Sequence, residues 1–155
     1  MTREKKFTEA EFHRQIAAAL FNKVWEYMEK PSRTREETDE MIHAAHASRY
    51  HWGRVGTPVN LLRGEWQISR AYSVVGRPES ALAHANRCLE LCREHEIGDF
   101  DLAFAHEAIA RAHSVARDFA RAGEYLAVAR QAAEEIKDSQ DRNLVLSDLA
   151  TIAVE

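Results

Sequence analysis

The feature that most constrains this chain is an internal repeat. The stretch from Trp66 to Cys92, WQISRAYSVVGRPESALAHANRCLELC, reads as two antiparallel helices joined by a Gly-Arg-Pro turn. Its pattern returns 41 residues later in IARAHSVARDFARAGEYLAVARQAAEEI. Superposing the two units places Ile68 on Ile109, Ala71 on Ala112, Tyr72 on His113, Val74 on Val115 and Ala81 on Ala122. Short side chains at matched positions let two helices approach closely, and the larger ones fill the gaps between neighbouring pairs. A fixed period of this size means stacked helix pairs, each unable to bury its apolar face alone.

The flanking sequence is helical too. No stretch alternates with period two, and β-branched residues do not cluster. Thr8-x-x-Glu11 forms a capping box for a first helix that ends at Pro31. Its apolar face combines Phe12, Ile16, Leu20, Val24 and Met28 with the adjoining row Ala17, Phe21 and Trp25. Thr34-x-x-Glu37 predicts a second capping box and a helix running to about Gly53. Thr57-Pro58 opens the third helix and Gly76 closes it; Pro78 opens the fourth. Asp99 is expected to cap the fifth and Asp118 the sixth, with a seventh near Ser139 to Thr151. All three prolines fall at predicted boundaries, as a wholly helical chain requires. At 155 residues the chain fits one domain, with its best repeat units at 60–97 and 101–137.

Charge and composition narrow the class of function. The hydrophobic share is 45%, the charged share 30% and the net charge −4, with basic residues scattered rather than gathered on one face. These values fit an ordinary folded domain and give no footprint for nucleic acid. No apolar run approaches the roughly 20 residues needed to cross a bilayer. The N-terminal MTREKKFTEAEF lacks the apolar segment of a secretory signal. Cys88 and Cys92 stand four apart on one helix, a spacing poorly suited to disulfide torsions. A reducing, cytoplasmic setting is the expectation.

Trp66, Ile68, Ala71-Tyr72, Gly76, Ala81-Leu82 and Cys88-Leu89 resemble the tetratricopeptide repeat, sitting where that family places its aromatic, Leu, Ala-Tyr, turn Gly, Ala-hydrophobic and small-hydrophobic positions. There are departures: Trp66 is one position late, Ser69 replaces a Gly or Ala, and the period exceeds the family's usual length of about 34. In the second unit Arg117 replaces the turn glycine and Gly123 a leucine. The resemblance implies an all-α, right-handed stack of antiparallel helix pairs, about seven helices in all, whose first helices line a concave face. That places Arg63, Trp66, Arg70 and Ser73 beside Phe104, Glu107, Arg111 and Ser114 on the face. Arg70 and Arg111 occupy matched positions and are expected to lie close together, beside two aromatic rings. Such a group suits a carboxylate- or phosphate-bearing partner with an apolar portion. Alternatively, Arg70, Glu107 and Arg111 form a solvated ion-pair network and Trp66 and Phe104 are core. The Lys/Asn clamp with which some of these repeats hold peptide C-termini is not matched.

A second candidate site lies on the second helix, in TDEMIHAAHASRYHW. At 100° per residue Asp39, His43, His46 and Tyr50 form a narrow stripe opposite Met41, Ala45 and Trp52. A carboxylate, two imidazoles and a phenol could ligate one divalent metal ion, completed by Glu65 or Glu107, or relay protons. The alternative is a hydrated or packed helix face. His84 and His95 read as surface residues and His113 as packed; Cys88, in a small-residue slot, reads as an inert buried thiol. Asp99-Phe100-Asp101 lacks the glycine and distal glutamate of a calcium loop.

The leading expectation is therefore a non-enzymatic binding or scaffold module without a cofactor. It would engage a peptide or a small acidic ligand along the groove. The second is a metal-binding protein or metal-dependent enzyme built on the helix stripe. The third is a homodimeric structural protein whose groove is filled by its partner. The last helix, LVLSDLATIAVE, is more apolar than a solvated end cap. Either the chain folds over it or a second copy covers it, and the second option is the expectation.

Overall fold

The computed structural model describes residues 4–155 and is all-α. Among these residues seven helices follow one another: α1 Glu9–Met28, α2 Arg35–Val55, α3 Pro58–Val74, α4 Pro78–Glu94, α5 Asp99–Val115, α6 Phe119–Glu134 and α7 Ser139–Leu149. The pairs α1/α2, α3/α4 and α5/α6 pack as hairpins, and each pair stacks on the next through α2/α3 and α4/α5. The first helices also meet one another, α1 on α3 and α3 on α5, which makes them one continuous face. No helix among the described residues is long and apolar enough to cross a membrane.

Local chemistry sets most boundaries. The Thr8 box is complete: Glu11 N–H donates to Thr8 Oγ1 (3.1 Å) and Thr8 N–H to Glu11 Oε2 (2.8 Å). The expected Thr34 box is only half formed. Thr34 Oγ1 accepts from Glu37 N–H, but the Glu37 carboxylate reaches Lys30 instead (2.9 Å), so an ion pair across the α1–α2 turn replaces the return bond. α2 runs on past Gly53 to Val55. Gly56 and the extended backbone that Pro58 imposes on Thr57 stop it there. Asp99 does not cap α5: Gly98 holds that position, while Asp99 takes φ 56° and accepts from Phe100 N–H (2.8 Å). Asp118 caps α6 as expected, and Asp138 caps α7.

The repeat positions form the core. Ile68, Ile109, Ala71, Ala112, Ala81 and Ala122 are buried, and the stacked rings of His113 and Tyr125 lie 5.2 Å apart. Val74 and Val115, though matched, stay outside the core. Cys88 and Cys92 are buried free thiols in the cluster that joins α3, α4 and α5. α7 folds back onto α5 and α6, burying Val145, Leu149 and Ile152 against Ala103, Ala110, Ala129, Ala133 and Ile136. The chain itself thus covers the apolar side of its last helix, where a second copy was expected.

Candidate functional site

On the face shared by α1, α3 and α5, a cavity of about 420 Å³ opens, with Cys88 of α4 at its wall and α7 across one end. Five aromatic rings line it, from Phe21 and Trp25 on α1, Trp66 on α3, and Phe100 and Phe104 on α5. They touch in series. Trp25 lies 5.6 Å from Trp66, Trp66 meets Phe104 edge-on at 5.4 Å, and Phe104 meets Phe100 at 4.8 Å. Tilted and edge-on contacts suit the ring quadrupoles better than flat stacking would. Leu62 and Leu144 complete the apolar lining, and Arg63, Arg70, Asp101, Ser147 and Asp148 supply its polar atoms.

Those charges are already matched. Arg63 holds Asp101 through two bonds (2.8 and 3.2 Å) while lying over Phe100. Arg70 lies over Trp66 and donates to Glu107 Oε1 (2.9 Å) and to both oxygens of Asp148 (3.1 and 2.7 Å). Arg111 donates to Glu107 (2.6 Å), to the Asp148 carbonyl (3.1 Å) and to the Thr151 hydroxyl (2.8 Å). Trp66 Nε1 donates to the second Glu107 oxygen (3.2 Å). Two guanidinium groups therefore face two carboxylates. Full burial pushes the Glu107 carboxyl up, against the pull of Arg111 and Arg70. Burial also pushes Asp148 up, but its Arg70 hydrogen bonds and the two guanidinium charges outweigh this and hold it below the usual range.

Of the eight residues expected on this face from the repeat, six come to the cavity or its edge, while Ser73 is buried and Ser114 donates to the Ala153 carbonyl. Arg63, Trp66, Arg70 and Phe104 line the cavity, while Glu107 and Arg111 form the ion cluster beside it. The network is real but not solvated, since Glu107 is completely buried. Phe21 and Trp25, which the periodicity of α1 marks only as an apolar row, supply a wall. Asp101, Leu144, Ser147 and Asp148 carry no sequence signal that pairs them with the groove.

The stripe on α2 is distributed differently. Asp39, His43, His46 and Tyr50 are all exposed. His46 turns to the Tyr72 hydroxyl (2.9 Å) and packs edge-on to His84, leaving Tyr50 62% exposed. Glu65 lies beneath this group, accepting from His84 Nδ1 (2.6 Å) and Arg49 Nε (3.2 Å). Glu107 lies instead in the ion cluster. Arg49 passes so close to α3 that a Cβ on Gly64 would meet its Cδ at 2.7 Å, so glycine is what permits this crossing. Burial pushes Glu65 up, but the His84 hydrogen bond and charge, with Arg49, hold it low. Burial and then the charge of His84 lower His46. His84, expected at the surface, packs on Tyr72 with rings 18° apart. Among the described residues no three His, Cys, Asp or Glu side chains are grouped so as to hold a metal ion.

The fold and the cavity together define an all-α stack of helix pairs carrying an aromatic-lined concave site. No protein-family model matches the chain, and no curated protein or solved structure matches it.

Proposed function

We propose that the protein is a non-enzymatic binding module, akin in architecture to tetratricopeptide-repeat scaffolds, whose concave cavity receives an apolar, ring-bearing group. The observation that carries this reading is the series of five rings around about 420 Å³, beside guanidinium groups already matched with carboxylates. That volume falls within the range of small-ligand pockets, which are mostly apolar with few polar groups. α7 crosses one end of the groove, so a compact ligand or a single peptide side chain fits it better than a long extended peptide. A carboxylate ligand would have to displace Asp101 from Arg63 or Asp148 from Arg70, exchanging one ion pair for another. The apolar body of the ligand therefore supplies most of the affinity. An acidic group, where present, meets Arg63 at the rim, the guanidinium side chain that is half exposed.

Calorimetric titration with 2-naphthol and with its anionic counterpart 2-naphthoate tests this. Both should bind saturably, and Trp66→Leu or Phe104→Ala should weaken both at least tenfold while helical circular dichroism is kept. Absence of saturable binding by either compound would remove the proposal. Tighter binding of naphthoate than of naphthol, lost in Arg63→Gln, would favour the acidic ligand.

A further inference from the structure

α7 gives the cavity a wall whose contacts are only partly used. Leu144, Ser147 and Asp148 line the cavity, and their spacing of i, i+3 and i+4 sets them on one side of the helix. Val145 and Leu149 form a separate stripe, buried against α5 and α6. The three cavity residues differ in what they already touch. Asp148 is held by Arg70 and Arg111. Leu144 is 54% exposed, although Leu146, two residues on, packs against the α5–α7 core. Ser147 is exposed, and among the described residues its hydroxyl bonds to nothing. The hydroxyl of Thr151, one turn further on, is by contrast engaged by Arg111 and by the Asp148 carbonyl. The charged side chains of the lining are matched with one another, Arg63 with Asp101 and Arg70 with Asp148. A ligand entering the cavity therefore meets one apolar side chain left to cover and one neutral polar group left to bond. Both belong to α7.

We propose that α7 sets the specificity of the cavity: Leu144 covers the ring of the ligand while the Ser147 hydroxyl bonds a neutral group on it, so the ligand class is aromatic compounds bearing a hydroxyl or carbonyl rather than a carboxylate. The inference rests on the cavity reading given above and deepens it. A serine hydroxyl both donates and accepts, so it serves either neutral group. An anion has no such place, because each arginine of the lining already holds a carboxylate and a further one would add charge to a balanced set. Covering Leu144 removes apolar surface from water, which favours a ligand whose ring reaches α7. Leu144 and Ser147 lie outside the cluster that seats α7, so changing them leaves the helix in place.

Equilibrium dialysis of the full chain against naphthalene, 2-naphthol and 2-naphthoate reads the two residues separately. The unchanged chain should bind naphthalene and 2-naphthol saturably, and 2-naphthoate more weakly than the naphthol. Ser147→Ala should weaken 2-naphthol about fivefold, the worth of one ordinary hydrogen bond, and leave naphthalene as it was. Mere damage to the cavity would weaken both alike. Leu144→Ala should weaken both about fivefold through lost apolar contact. Val128→Ala, at a similarly exposed apolar position on α6 outside the cavity, should change neither. Helical circular dichroism should be the same in all three variants. Equal losses for the two compounds in Ser147→Ala, no loss in Ser147→Ala or in Leu144→Ala, or tighter binding of 2-naphthoate than of 2-naphthol overturns the proposal. In those cases Trp66→Leu still weakens binding and the cavity reading stands. If none of the three compounds binds the unchanged chain, the cavity reading itself falls and this inference falls with it.

Discussion

Gly76 and Arg117, 41 positions apart, both close their helices in the left-handed region, at φ 74° and φ 61°. The same bonds surround each. Arg77 N–H reaches Tyr72 O (2.9 Å) and Asp118 N–H reaches His113 O (3.0 Å), the longer bond of a Schellman turn. An L-residue with a Cβ is held in that conformation at a cost of roughly 1 kcal/mol, and glycine is not. Arg117→Gly should therefore raise stability by up to about 1 kcal/mol and Gly76→Ala should lower it by a similar amount, both read from urea unfolding. Histidines set the acid response. His51 shares a hydrogen bond with His13 (Nδ1 to Nδ1, 2.8 Å), which two protonated rings cannot make. Burial, then the charge of His13, lowers His51, and burial lowers His46. For such groups the unfolded chain takes up protons that the folded chain refuses. Stability is complete above the unfolded value of about 6.5 and declines as pH falls through it. Glu65 and Asp148, also lowered, hold their contribution down to about pH 4 and lose it as pH falls through their folded values. Glu107, raised, runs the other way, contributing at low pH and losing that contribution as pH rises through its folded value. Thermal midpoints should thus fall between pH 7.5 and 5.5 (about one unit either side of the histidine value), and less so in His51→Gln.

At the scale of the helix, the ion cluster decides where α7 lies. Glu107 is fully buried between Arg70 and Arg111, so Glu107→Ala leaves two partly buried cations with only Asp148 and should cost about 3 kcal/mol in urea unfolding. Asp148→Ala should cost less globally, and its mark should be local: faster amide exchange confined to α7. A uniform increase across all helices would argue against the ion cluster fixing α7 in particular. Much of this was legible from residues alone. Thr8, Thr57-Pro58 and Asp118 announce helix starts through short-range chemistry, and a constant repeat offset sets matched positions such as Arg70 and Arg111 side by side. What stayed hidden depends on long-range placement. Asp148 meets Arg70 across 78 residues of chain, and nothing in an apolar helix says whether its own chain or another covers it. His84 was missed because its ring is engaged by Tyr72, Glu65 and His46, from two other helices. The left-handed turn at Asp99 has no periodic signature at all.

Among the described residues there are three apolar clusters, one centred on α1–α3, one on α3–α5 and one on α5–α7. The middle cluster is flanked on both sides, whereas each outer one has a single neighbour. In a stack held by nearest-neighbour contacts, the ends open first. Amide exchange should be slowest in α3, α4 and α5 and fastest in α1 and α7; equal protection from end to end would instead indicate a single cooperative core. The cavity spans this expected gradient, with walls on the central α3 and α5 and on the outer α1 and α7. Saturation with naphthol should accordingly slow exchange in α1 and α7 more than in α4.

Trp66 and Glu107 occupy equivalent places in the two units, yet one is an indole that donates and the other a carboxylate that accepts, and they bond to each other. A consensus design that averaged the units into a longer array would put the same residue at both places. Two tryptophans would leave the paired arginines without their buried anion, and two glutamates would remove the ring at the centre of the aromatic series. The scaffold would extend while the site dissolved. The aromatic series and its ion cluster are a product of divergence between copies, so the proposed binding should be engineered by changing one unit at a time and never by restoring their symmetry.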